Sequence, residues 1–375
     1  MKSVVIAGTR PNFVKVAPLL ERLTNAGVDA VLVHTGQHYD WAMSEALFTD
    51  LGLRAPDVNL EVGSANHAVQ TARVMTRFDE WLEANPTDQV VVVGDVNSTL
   101  ACSLVAAKRE IPVAHVEAGL RSFDRSMPEE INRVAIDAIS TWLFTPSADA
   151  DASLRAEGVD QSRIHRVGNI MVDSLLSSLG NARALPVRAN LGLTGPYGLV
   201  TLHRPWLVDD PVRLAQVLHA LSQIAVTLPL VFPVHPRTRA NIEAFGLRDD
   251  SSGIMFVEPV GYLECLHLEA EATLVLTDSG GIQEETTVLG VPCLTVRENT
   301  ERPITVTQGT NHLVGSDPDT ICRVAADVIA HPPVRRCPPL WDGHTAERIA
   351  VVLAKGTPDV VWTHRGTTRQ HGLDR

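Results

Sequence analysis

The residues best suited to do chemistry in this chain begin with Thr277-Asp278-Ser279-Gly280-Gly281-Ile282-Gln283-Glu284-Glu285. The β-branched apolar run Thr273 to Leu276 ahead of it reads as a buried strand, and Gln283 to Leu289 after it reads as a helix. A strand, a glycine-bearing turn and a helix N-terminus together favour an anion, because unpaired backbone N–H groups and the positive end of the helix dipole converge there. Glu285, just inside the helix, places a carboxylate where two vicinal hydroxyls such as those of a ribose could donate to it. The local chemistry therefore points to a nucleotide with its phosphates on the turn. The plainer account is a helix capped by Asp278 or Ser279.

Other chemistry-bearing residues fall at the ends of further apolar runs. Ser3 to Ala7 reads as a strand, Gly8 to Lys15 as a turn, and Val14 to Leu23 as a helix with Pro11 in its first turn. Arg10 and Lys15 then stand at the C-terminal edge of the first strand, where open α/β sheets bind ligands. Gln89 to Val93 and Pro112 to Val116 read as central parallel strands. They end in Asp95 and Glu117, which places two carboxylates on one rim. A single acid at a strand end is usually a cap or turn former, but a pair on one rim is harder to dismiss. Pro128 opens a helix carrying Glu129, Glu130 and Arg133; acids in a first helical turn commonly just complement the dipole.

These positions need a scaffold. With 375 residues the chain suits two domains, and 45% apolar and 20% charged residues are ordinary for a globular protein. A net charge of −12 argues against nucleic acid or an anionic membrane as partner. The N-terminal run lacks the basic start and length of a signal peptide. No apolar stretch is long enough to span a bilayer. Cys102, Cys265, Cys293, Cys322 and Cys337 are odd in number and scattered, which reads as reduced thiols in a cytoplasmic protein rather than disulfides or a zinc site.

Strand and helix patterns alternate along the whole chain, so the expected fold class is α/β with parallel sheets. Ser122 to Met127 reads as an irregular, mobile loop. Gly168-Asn169 reads as a hinge, followed by a linker rich in Ala, Leu and Arg. A second alternating series follows, with His203-Arg204-Pro205 and His235-Pro236-Arg237 at strand ends. Two Rossmann-like domains should face each other across a ligand cleft.

Gly8-Thr9-Arg10-Pro11, Gly36-Gln37-His38, Gly94-Asp95, His115 to Arg121, Pro128 to Arg133, His203-Arg204-Pro205, Asp278 to Glu285 and Thr300-Glu301-Arg302-Pro303 occur in that order. The ordered set resembles the non-hydrolysing UDP-N-acetylglucosamine 2-epimerases from about residue 3 to about residue 355. The resemblance implies the GT-B fold, interconversion of UDP-GlcNAc and UDP-ManNAc, and a homodimer. It implies an N-terminal Rossmann-like domain over residues 1–168 with the catalytic carboxylates. A C-terminal Rossmann-like domain over 169–355 would bind UDP, and a tail over 356–375 would pack back on the first domain. Carried over by position, Arg10, Lys15, His203, Ser279, Gly280, Gly281, Glu285 and Arg302 would hold UDP. Asp95, Glu117 and Glu129 would be the catalytic carboxylates, with Arg133 and His203 also needed for activity.

The implied route is elimination of UDP to a 2-acetamidoglucal and re-addition after the C2 proton returns on the other face. That route uses carboxylates for proton transfer, cations and a helix end for the diphosphate, and closure against water. It calls for no cofactor and no metal, and the sequence offers neither a G-x-G-x-x-G turn nor clustered metal ligands. Crowded carboxylates beside a diphosphate are expected to have raised pKa values.

The chain departs from the pattern at several points. Asn12 stands where many members have Glu. Trp206-Leu207 interrupt a usually polar run, and three readings of Trp206 stand side by side: core, a lid, or a wall of an altered sugar pocket. Cys265 stands near the position of a uracil-stacking aromatic, with Tyr262 three residues earlier. Gln37 and His38 resemble part of an activating second site, but Asp40 departs from it. Alternatives are the same chemistry on a modified UDP-amino sugar in antibiotic or polysaccharide biosynthesis, a hydrolysing 2-epimerase, a GT-B glycosyltransferase, or a silent nucleotide-sugar sensor.

Overall fold

The computed structural model describes residues 1–36, 48–247 and 253–356. Gln37, His38 and Asp40, most of the helix expected over 42–51, and nearly all of the expected tail lie outside the described residues.

The first sheet contains β1 (Lys2–Ala7), β2 (Asp29–His34), β3 (Val58–Asn59), β4 (Gln89–Val93), β5 (Val113–Val116), β6 (Trp142–Thr145) and β7 (Ile164–Arg166). Its order is β3-β2-β1-β4-β5-β6-β7, parallel throughout. The second contains β8 (Gly198–Thr201), β9 (Leu230–Pro233), β10 (Ile254–Val257), β11 (Leu274–Thr277), β12 (Cys293–Thr295) and β13 (Asn311–Leu313), ordered β10-β9-β8-β11-β12-β13 and also parallel.

Each sheet is covered on both faces, which is why its central strands read as unbroken apolar runs. Alternate residues of β1 and β4 go to opposite cores: Val5, Ala7, Val91 and Val93 to one, Val4, Ile6, Val90 and Val92 to the other. In the second sheet Val200, Leu274 and Leu276 serve one core, Leu199 and Val275 the other. Strand order reverses between β1 and β4 and between β8 and β11. Loops on either side of such a reversal splay apart and leave a crevice.

The expected linker is instead a helix, Ile170–Ala184, which buries residues on more than one side. Ile170 and Met171 enter the core beneath the first sheet, while Val172, Leu175 and Ala182 join a cluster with Leu266, Val288 and Trp341. With apolar residues facing two neighbours, its sequence lacks a single hydrophobic stripe. The helix Thr345–Leu353 returns to the first sheet, where Ala346, Ile349, Ala350 and Leu353 complete its core beside helix Arg10–Asn25. Over the described residues the chain thus crosses between the lobes twice. At the crossing, a Cβ on Gly168 would collide with the backbone carbonyl of Leu340, and both residues have left-handed backbone, with φ of 96° and 68°.

Candidate active site

The first rim is built from the loops after β1, β4 and β5. Helix Arg10–Asn25 begins earlier than its pattern suggested, with Pro11 in its first turn. Asn12 ties this turn down. Its Oδ1 accepts from the backbone N–H groups of Gly8 (3.2 Å) and Thr9 (3.0 Å), and its Nδ2 donates to Val93 O at 3.0 Å. An amide donates and accepts at once, so Asn12 clamps the loop after β1 to the end of β4, a bridge an ionised carboxylate would lack the donor to make.

One turn on, Lys15 Nζ lies 2.5 Å from Glu117 Oε2. Both side chains are largely buried, and the other Glu117 oxygen has no hydrogen-bond partner. Glu117 has φ 73°, an uncommon conformation for a residue with a side chain and one that collects at functional sites. Gly94 makes room for it, since a Cβ there would stand 3.3 Å from Glu117 Oε2.

β4 and β5 are adjacent, with Val93 opposite Val116, so Asp95 and Glu117 do emerge side by side. Helix Pro128–Ile139 approaches with Arg133, which holds Asp95 through Nε at 2.8 Å and Nη2 at 2.5 Å. Its Nη1 takes Glu130 at 2.8 Å. Glu130 in turn accepts from Ser122 N, Ser122 Oγ and Phe123 N, so it ties the irregular loop to the helix. Beneath lies buried His115, with Nδ1 2.6 Å from Asp137 and Nε2 2.9 Å from Gly94 O. Asp137 also accepts from Gly119 N and pairs with Arg121. This layer fixes both carboxylate-bearing turns.

The second rim comes from the loops after β8, β11 and β12. Asp278 is fully buried and caps no helix: its Oδ2 accepts the N–H groups of His203 (2.8 Å) and Arg204 (2.7 Å). His203 Nδ1 sits 2.9 Å from its other oxygen. The helix runs from Gly280 to Leu289 with Ser279 as N-cap, whose side chain makes no capping bond. Gly280 and Gly281 are thus the first helical turn rather than a turn before it, and their N–H groups lack intrahelical acceptors.

Gly280 is dictated by crowding. A Cβ there would stand 2.5 Å from Arg302 Nη1 and 2.9 Å from Glu301 Oε1. Arg302 is buried and paired with Glu284 (2.8 Å) and Glu301 (2.5 Å). Glu301 also takes Arg297 at 2.9 Å.

One cavity of about 500 Å³ lies between the rims. Asp95, Lys15, Glu129 and Arg133 line it from the first lobe. His203, Ser279, Gly280, Gly281, Glu285 and Arg302 line it from the second. The structure therefore gathers these sequence-predicted residues at one site. Glu117 is held just behind the wall by Lys15. The Arg10 side chain lies outside the described residues. Tyr262 and Cys265 line the cavity near Glu285, with Tyr262 Oη 3.4 Å from Glu285 Oε1.

The expectation of raised carboxyl pKa values divides between the lobes. Burial pushes Asp95 up, but the charges of Arg133, Lys15 and Arg302 outweigh it and hold it below its ordinary value. The raised acids are in the second lobe. Burial and the charge of Glu284 push Glu285 up to about 7, and burial raises Glu284 and Glu269 as well. Burial also pushes Glu301 up, yet the arginines Arg302, Arg297 and Arg133 bring it well below the carboxylate range.

Sequence reasoning missed Glu130, Asp278, Glu284 and Glu301 as framework of the site. The spacing of Glu130 and Arg133, three apart on one helix, and the adjacency of Glu301 and Arg302 were signals for two of them. Among the described residues no group of three or more His, Cys, Asp or Glu side chains could hold a metal, and no helix is long and apolar enough to cross a membrane.

Taken together, the cavity offers an anion-attracting helix end and a nearby carboxylate at one end. At the other it offers an ionised Asp95, a half-buried Glu129 and a Lys15–Glu117 pair. It suits a molecule with a phosphorylated, hydroxyl-rich end whose remainder undergoes proton transfer.

Comparison with known proteins agrees. The UDP-N-acetylglucosamine 2-epimerase of Methanocaldococcus jannaschii is 42% identical over 95% of this chain and its own full length. The crystal structure of that enzyme in complex with UDP-GlcNAc and UDP superposes with a TM-score of 0.88 over 95% of this chain and all of its own. A Pseudomonas aeruginosa relative, UDP-2,3-diacetamido-2,3-dideoxy-D-glucuronate 2-epimerase, is 40% identical over 95% of this chain and its full length. The two parallel-sheet lobes have the GT-B arrangement of these epimerases. The family model for UDP-N-acetylglucosamine 2-epimerase matches residues 21–354, and the chain belongs to that family of isomerases.

Proposed function

We propose that the protein inverts C2 of a UDP-linked 2-acetamido sugar without hydrolysis, interconverting UDP-GlcNAc and UDP-ManNAc. The observation that carries this reading is the single cavity in which Asp95 and Glu129 of one lobe face Ser279, Gly280 and Gly281 of the other. UDP lies with its diphosphate on the N-terminus of helix Gly280–Leu289, beside His203 and Arg302, and its ribose on Glu285. The sugar then reaches Asp95 and Glu129, with Glu117 delivered through Lys15.

The C2 proton of an amino sugar is not acidic, so its loss is coupled to departure of UDP from C1. The C1–O bond breaks as the C2–H bond breaks, the electron pair forms the C1=C2 bond of a 2-acetamidoglucal, and a carboxylate takes the proton. UDP held in place re-adds at C1 after a proton arrives on the opposite face. Helix dipole and cations stabilise the departing diphosphate, and the two-lobed cavity limits water. Arg10 would join the UDP contacts. The reading carries with it a cytoplasmic location and a homodimer, and sedimentation of the purified protein checks the dimer.

The test is incubation with UDP-GlcNAc in deuterated water. Deuterium at C2 together with UDP-ManNAc supports the reading. Free ManNAc and UDP would make the enzyme hydrolysing, and no label at C2 would end the proposal.

A second reading keeps the chemistry on a modified UDP-amino sugar. It is favoured by Trp206 in the wall of a neighbouring chamber and by the substrate named for the Pseudomonas aeruginosa relative.

A further inference from the structure

Helix Tyr262–Ala270 packs against helix Gly280–Leu289. Tyr262, Cys265 and Glu269, spaced by three and four residues, fall along one face of it. Tyr262 and Cys265 line the catalytic cavity, while Glu269, one turn further on, is buried and only 1% exposed. Its side chain lies within hydrogen-bond reach of that of Glu285. Glu269 Oε1 is buried and meets no donor.

Two buried carboxyls this close need a proton or a cation between them. Arg302 is taken up by Glu284 and Glu301, and among the described residues neither Glu269 nor Glu285 has an ion pair. The other titratable groups facing the pair are Glu284 beside Glu285, Tyr262 and Cys265 on the shared helix face, and Cys293 on β12; none is a cation. His267 is turned to Ala182 O, 3.0 Å from its Nδ1. A proton therefore joins the two acids. Burial and the charge of Glu285 push Glu269 well above its ordinary value, and Glu269 is the deeper of the two, so the proton resides there.

A neutral carboxyl is a donor, and Glu285 is the acceptor within its reach. Donation into Glu285 favours the ionised form of that residue and fixes its plane. Lone pairs of Glu285 remain for two further donors.

From this arrangement we infer that Glu269 is a positioning residue for the nucleoside: as a neutral acid it donates to Glu285 and holds that carboxylate ready for the vicinal hydroxyls of a ribose. The inference rests on the reading above, which lays the ribose on Glu285.

The experiment measures, by calorimetry at neutral pH, the affinity for UDP against that for 2′,3′-dideoxyuridine 5′-diphosphate. The parent should favour UDP by at least about tenfold, because hydrogen bonds to a charged group are the strong ones. Glu269→Met, similar in size but without a donor, should remove most of that preference. Glu269→Gln, whose amide donates, should keep it within about twofold. A ratio taken within one preparation is unaffected by loss of folded protein, so a merely structural role would leave it in place. An unchanged ratio in Glu269→Met would overturn the inference, as would Glu269→Gln falling as far as Glu269→Met. In both cases Glu285→Gln losing the preference would keep the ribose on Glu285. A parent without the preference, or Glu285→Gln retaining it, would take the ribose off Glu285 and remove the inference with it.

Discussion

Arg133 binds Asp95 through two nitrogens on the same oxygen, Oδ2, at 2.8 Å and 2.5 Å. Arg133 thereby leaves Oδ1 unengaged, on a cavity-lining carboxylate that neighbouring cations hold below its ordinary pKa. Asp95→Asn should lower kcat by about 10²–10⁴-fold, the usual range for a lost acid–base group. Arg133→Met removes the nearest charge holding Asp95 down, so the acidic limb of the pH–rate profile should move to higher pH. An acidic limb that stays in place would show that Asp95 does not set it.

Lys15 and Glu117 form a buried pair whose members depend on each other. Lys15→Met leaves an uncompensated carboxylate and should destabilise the fold by about 3–5 kcal/mol. Glu117→Gln should cost less, and the double variant should be more stable than Lys15→Met alone. Urea unfolding of the set decides the matter. A Lys15→Met protein as stable as the parent would mean that the pair is solvated in solution.

The crowding at Gly280 gives a contrast between neighbouring glycines. Gly280→Ala drives a methyl into Arg302 and Glu301, and overpacking of this kind costs about 1–3 kcal/mol. Arg302 is displaced from the helix end, so UDP affinity should fall by at least about tenfold by calorimetry. At Gly281 the nearest atom to a new Cβ is Met171 Cε at 3.8 Å, so Gly281→Ala should unfold close to the parent temperature. Equal thermal losses in the two variants would contradict the packing argument.

Glu285, raised from 4.5 to about 7, makes the stability of the unliganded protein depend on pH. A carboxyl whose folded pKa lies above its unfolded one stabilises fully below the unfolded value, and that contribution is lost as pH rises through the folded one. The window is therefore about pH 4.5 to 7, and the shift corresponds to about 3 kcal/mol at most. Melting temperature should fall across it, and Glu285→Gln should flatten that part of the curve. An unchanged slope in the variant would assign the titration to another group.

The parts of the fold legible in the sequence were those with a single environment. β4 and β5 are buried on both faces, so their runs and the acids that end them could be placed from periodicity alone. Helix Ile170–Ala184 was not legible, because it faces two cores and shows no single stripe. Within the site, residue types at strand ends indicated Asp95, Lys15 and Ser279. What they could not convey was which acid each cation would meet. Lys15 draws Glu117 behind the cavity wall and Glu284 reaches Arg302, pairings set by approaches between separate segments of the chain, whereas Glu301 meets Arg302 as its neighbour in sequence. The contrast between Asp95 and Glu285 has the same origin: both are acids in a crowded cleft, but guanidinium groups surround the first and carboxyls the second.

The return of helix Thr345–Leu353 to the first sheet bears on how the chain is made. A ribosome releases residues 1–168 long before Ile349, Ala350 and Leu353, yet those three belong to the oldest-synthesised core. The lobe that begins first is sealed last, and its apolar seam beside helix Arg10–Asn25 waits through synthesis of the whole other lobe. A nascent chain halted before Thr345 should hold that seam open and bind a hydrophobic dye there, and synthesis of the nine residues of helix Thr345–Leu353 should quench the signal.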